Sequence, residues 1–203
     1  MQNNTFMLIK RMLKHTLGIL LLAATFVGCT PTFDWRTVRS DDLLYEALYP
    51  GKPSRAEKVM MFQNQKLKMA MEAVKVKDGL YAVGVIQVPA ELRSQESLNN
   101  LKSFIQDGML SNLKTNQPVQ GEAITIKTSD ATPLAAKEWI IDGAGPDQKR
   151  RLLRLRVVER KFPDGQTFIF QQSILQSISA EQSLEKVLLS DEHMMFLNGF
   201  KPY

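Results

Sequence analysis

The chain has 203 residues, one cysteine, 23% charged residues and a formal net charge of +5. A single cysteine excludes an internal disulfide, and the 175 residues beyond the first 28 make one domain, long enough to bury a core without one. The charge does not point to nucleic acid, because removing the leader cations Lys10, Arg11 and Lys14 lowers +5 to +2.

Behind those cations lies Leu17 to Cys29, LGILLLAATFVGC. It is about a dozen apolar residues, whereas a spanning helix needs ~20. Cationic, apolar and small residues in that order fit a cleaved export signal over residues 1–28. Val27-Gly28-Cys29 resembles the bacterial lipobox, departing from it at Phe26, where that family prefers leucine. The resemblance implies that Cys29 becomes the acylated amino terminus, with palmitate-type chains each gaining ~0.8 kcal/mol per buried methylene. Acylation would also consume a thiol that has no internal partner. By the same resemblance, Thr30 rather than Asp after the cysteine directs the protein to the outer membrane of a Gram-negative cell, on its periplasmic face.

Residues 29–40 contain Pro31 and several hydroxyls and read as a tether, with a single domain over 41–203. Leu43 to Tyr49 reads as a strand stopped by Pro50-Gly51-Lys52-Pro53, and Glu57 to Phe62 as a second. From Lys66 the period is two, Leu67, Met69, Met71 and Ala73 opposing Lys66, Lys68 and Glu72. Asp78-Gly79 is expected to supply the positive φ angles of a hairpin turn into Leu80 to Val88. Ser94 to Asn116 changes to a helical period through Leu98, Leu101 and Ile105, with Gly108 weakening it.

Strands resume at Gly121 to Lys127 and Leu134 to Asp142, then at Lys149 to Phe162, which Pro163-Asp164-Gly165 turns into Gln166 to Gln176. Ser179 to Gln182 has the form of a capping box for a helix running to about Phe196. Two blocks of strands, each followed by a helix, predict an α+β domain in which an antiparallel sheet is covered by two main helices. That order, with LYEALYPGKP and the terminal FLNGFKP, resembles the PsbP-like fold of DcrB-type envelope lipoproteins, domains of unknown function. The resemblance implies a non-catalytic binding or accessory protein.

Beyond the leader only one histidine remains, His193, in Asp191-Glu192-His193. It has no second histidine or cysteine to complete a metal site, and it reads as a solvent-facing side chain near a helix carboxyl end. No nucleophile elbow or phosphate loop is present, so the sequence assigns no catalytic residue, metal or cofactor. The alternative is a hydrolase or small-ligand carrier with a pocket between helix and sheet. In Lys149 to Lys161, Leu153, Leu155 and Val157 face the core while Arg150, Arg154, Arg156 and Arg160 line the other side, interrupted by Leu152 and Val158. These four arginines form the candidate face for an envelope protein or anionic lipid, with Lys66 and Lys68 extending it if their strand is adjacent.

Overall fold

The computed structural model describes residues 32–115 and 118–203; the leader and Cys29 lie outside the described residues. A compact unit begins at Phe33. Its strands are β1 (Arg36–Ser40), β2 (Tyr45–Tyr49), β3 (Ser54–Phe62), β4 (Gln65–Val76), β5 (Gly79–Gln87), β6 (Glu122–Lys127), β7 (Pro133–Ala144), β8 (Arg150–Lys161), β9 (Thr167–Ser177) and β10 (Lys201–Pro202). The helices are α1 (Gln95–Leu110), α2 (Leu184–Leu188) and α3 (Asp191–Asn198). Seven strands form one antiparallel sheet in the order β3-β4-β5-β9-β8-β7-β6, and β1-β2-β10 form another.

The expected sheet covered by two main helices is therefore wrong. Strands take 49% of the described residues and helix only about 19%. One face of the large sheet is covered by α1, whose Leu98, Leu101 and Ile105 pack on Leu67, Met69, Ile86, Trp139, Leu153 and Leu155. The other face is covered mainly by the small sheet, through Tyr45, Ala47 and Tyr49, with Phe196, Leu197 and Phe200 beside them. The helix expected from Ser179 to Phe196 divides because Ser190 restarts it, its Oγ accepting from the His193 backbone N–H at 3.4 Å. Gln182 does reach back to the Ser179 N–H at 2.8 Å, but helix begins only at Leu184. Strand β1 lies within the stretch read as tether, pairing Arg36 to Ser40 with Tyr49 to Tyr45.

One turn departs from its expected chemistry, and another makes do without glycine. At the β4–β5 turn Lys77 takes the positive φ of 50°. Gly79 instead opens β5, where a Cβ would lie 2.8 Å from Tyr81 Cε2, so this glycine serves close packing. The β3–β4 hairpin turns on Gln63 and Asn64, with φ of 45° and 63°, a primed turn without glycine.

The two sheets are joined by a polar staple inside an aromatic core. Tyr45 donates to Glu72 Oε2 at 2.5 Å, Tyr49 donates to the Glu72 carbonyl at 3.3 Å, and the two phenol oxygens stand 3.2 Å apart. Burial, with Glu72 close by, drives both phenols well above the ordinary tyrosine range, so they serve here as neutral donors. Tyr45→Phe should leave the buried Glu72 short of a donor and lower stability by about 1–3 kcal/mol, read from the midpoint of urea unfolding.

Candidate functional site

The arginine row of β8 is turned inward by what packs over it. Arg156 Nε donates to Glu138 Oε1 at 2.6 Å, and Arg154 grips both oxygens of the same carboxylate at 3.0 and 3.1 Å. The Arg154 and Arg156 side chains are only 11% and 10% exposed. Arg150 holds Asp142 through Nε at 3.0 Å and Nη2 at 2.7 Å. The register places Glu138 directly opposite Arg156, a cross-strand juxtaposition that no sequence spacing reveals.

Each arginine also donates to a backbone carbonyl of the carboxyl-terminal segment. Arg150 reaches Ser179 O at 3.3 Å, Arg154 reaches Leu188 O at 3.2 Å, Arg156 reaches Leu197 O at 3.0 Å and Arg160 reaches Tyr203 O at 3.0 Å. Leu188 ends α2, and Leu197 lies in the last turn of α3. Their carbonyls are among those a helix end cannot satisfy by itself. Gln172, the cross-strand partner of Arg156, takes the neighbouring Phe196 carbonyl at 2.9 Å. The row is thus a clamp that fastens residues 179–203 to the sheet. Lys66 and Lys68 do not extend it, since β5 and β9 separate β4 from β8.

His193 sits in the first turn of α3, fully buried, rather than exposed near a carboxyl end. Its Nε2–H donates to Gln176 Oε1 at 2.6 Å, while Nδ1 has no protein partner among the described residues. Burial, reinforced by the Arg154 charge, holds the imidazole neutral and lowers its pKa to about 4. It works as a core side chain, packed edge-on against Tyr81.

A recess of about 520 Å³ does lie between α1 and β7–β8. The carboxylate on its wall, Glu159, is paired with Lys102 at 2.6 Å. A second recess of about 600 Å³ is lined by Phe33, Asp78, Glu181 and Glu192. Among the described residues no group of three or more His, Cys, Asp or Glu is arranged to hold a metal.

The surface with the least internal explanation lies at the β3–β4 hairpin. There Met60, Met69, Met71 and Met109 line a hollow of about 170 Å³ with Phe104 and Gly108, and Lys58 stands at its lip. Phe62 packs at a tilt against Phe104, ring centroids 5.4 Å apart. On the opposite side of β3, Val59 and Met61 are 63% and 55% exposed. A Cβ added at Gly108 meets nothing within 4 Å, and its backbone does not need positive φ. Methionine adapts its shape to irregular partners, which suits a contact surface as well as a core. The sequence placed Met69 and Met71 on the apolar face of a strand and marked Gly108 only as a helix weakness; their convergence with Met60 and Met109 depends on how α1 lies across β3 and β4.

The sequence matches no protein-family model and no curated protein.

Two measurements check this account. Replacing Glu138 by Gln removes the carboxylate shared by two buried guanidinium groups and should cost about 3–5 kcal/mol of folding free energy in chemical denaturation. The pH profile carries a second signature. The unfolded His193 imidazole titrates at 6.5 and the folded one at about 4. Between those values the unfolded chain takes up a proton that the folded chain refuses, so the contribution is complete above pH 6.5 and is lost as pH falls. The Glu138 carboxyl adds to this at lower pH. Burial pushes it up, but Arg154 and Arg156 more than reverse that and leave it below the usual carboxylate range. Stability should fall by on the order of 3 kcal/mol between pH 6.5 and 4, and His193→Gln should flatten that part of the curve.

Proposed function

We propose that the chain is a lipid-anchored, non-catalytic binding protein of the bacterial envelope, tethered by acyl chains on Cys29 at the periplasmic face of the outer membrane. Among the described residues no helix is long and apolar enough to cross a membrane. The reading draws on the leader sequence and on the inward commitment of the arginines and of His193. The observation that carries it is the separation between where the chain enters the domain and where its open surface lies.

Entry is at the β4–β5 end of the sheet, where Lys77 Nζ lies 4.9 Å from the Phe33 ring centre and the Asp34 N–H donates to Pro50 O. Met69, in the methionine hollow, is eight residues away along β4, roughly 27 Å at ~3.4 Å per residue. A body fastened at one end of its sheet and open at the other is suited to presenting a surface to a partner.

The anchor is tested by feeding cells an alkyne-tagged palmitate and fractionating them. The parent protein should carry the tag and leave the outer membrane only in detergent. Cys29→Ser should carry no tag and appear free in the periplasm with an unchanged melting temperature of its domain. An untagged parent, with the variant still membrane-bound, would overturn the reading.

A further inference from the structure

The strand β3 ends the large sheet and pairs along nine residues with β4 alone. Among the described residues no backbone hydrogen bond reaches its outer edge. It carries neither proline nor bulge, two of the devices by which exposed edges are usually blunted. Three separate exposures therefore meet on one strand: unpaired peptide groups, the aliphatic pair Val59 and Met61, and the methionine hollow under Met60.

We infer that the outer edge of β3 docks an extended segment of a partner protein, in which three consecutive apolar residues adjoin an acidic one. Such a segment adds an eighth strand to the seven and covers all three exposures at once. Because side chains alternate across a strand, the residue opposite Met60 points into the hollow while those opposite Val59 and Met61 lie on the other face. The bare backbone of Gly108 leaves room for a bulky side chain there.

Charge selects the fourth residue. Arg55 is bound to Asp42 at 2.6 Å and Glu57 to Lys68 at 2.7 Å, whereas Lys58 is exposed with no carboxylate partner among the described residues. An acidic side chain opposite Lys58 completes the strip.

The same charges disfavour a second copy in the registers that set Lys58 against itself or against Met60. Antiparallel self-pairing centred on Lys58 sets two ammonium groups face to face. Centring it on Val59 sets Lys58 against Met60 and Glu57 against Met61, leaving both charges over apolar neighbours.

The inference does not rest on the lipid anchor and is tested on the folded protein with a displayed library of random ten-residue peptides. Enriched sequences should carry an acidic residue next to three apolar, β-prone ones. Their affinity should drop at least tenfold on Lys58→Glu, and separately on Gly108→Leu, which fills the hollow from a helix position that tolerates leucine. Neither variant should lower the parent's melting temperature, with Gly108→Leu raising it slightly because leucine favours helix over glycine, and bound peptide should slow amide exchange along β3. A library that yields no binders overturns the proposal, as do binders indifferent to both variants. So does a protein that sediments as a dimer through this edge, or decanoate displacing the selected peptides while binding with their affinity.

Discussion

One carboxylate shared by two guanidinium groups underlies this fold. Glu138, Arg154 and Arg156 lie between the large sheet and the carboxyl-terminal helices, largely out of water. Isolated, such a cluster would be costly to bury, because two cations meet one anion. It is tolerable here because the remaining donors face Leu188 O and Leu197 O, carbonyls near helix ends where partial negative charge accumulates. The helices are short, with five and eight residues, and could not persist on propensity alone. Clamp and helices therefore depend on each other: the carbonyls neutralise the excess charge, and the charge fixes where the helices end.

That dependence extends to the aromatic core. With α3 held, Phe196 packs against Tyr49 and Tyr81, and Phe200 reaches Tyr45 and Phe170. Gly199 permits the turn between them, since a Cβ there would lie 2.8 Å from Met195 O and would also strike Leu48 of β2. Tyr45 and Tyr49 then carry the contact to Glu72 in β4. The chain's last residues thus tie both sheets together, which explains why β10 pairs with β2 rather than trailing free.

Local order was largely legible in the sequence. Ser94 caps α1 by accepting from the Ser97 N–H, and Gly165 takes a φ of 84° in the Pro-Asp-Gly turn. What covers the sheet was not legible, because covering elements are chosen by packing rather than by period. The row on β8 was misjudged for a related reason. Leu152 and Val158 share the arginines' face and are fully buried, and they are the sign of a strand buried on both sides. Read as interruptions in a solvated row, they concealed that the arginines between them needed internal partners. The partners themselves, Glu138 and four backbone carbonyls, lie up to 43 residues away in sequence, and only register brings them in.

Satisfying charge inward at one place sharpens what is left unsatisfied elsewhere. In the carboxyl-terminal half of the sheet the arginines of the β8 row are bound, carbonyls at the ends of α2 and α3 are met and the histidine is neutral. The β3–β4 hairpin has an exposed ammonium at Lys58, two exposed aliphatics, a free peptide edge and, across from it, a glycine whose missing side chain nothing among the described residues requires. Gly108→Ala would fit the space and gain helix stability of about 0.4–1 kcal/mol, so the opening beside Gly108 is one that packing among the described residues does not require. The expected measurement is a small rise in melting temperature for that variant, with the peptide contact on β3 weakened in proportion to the space filled.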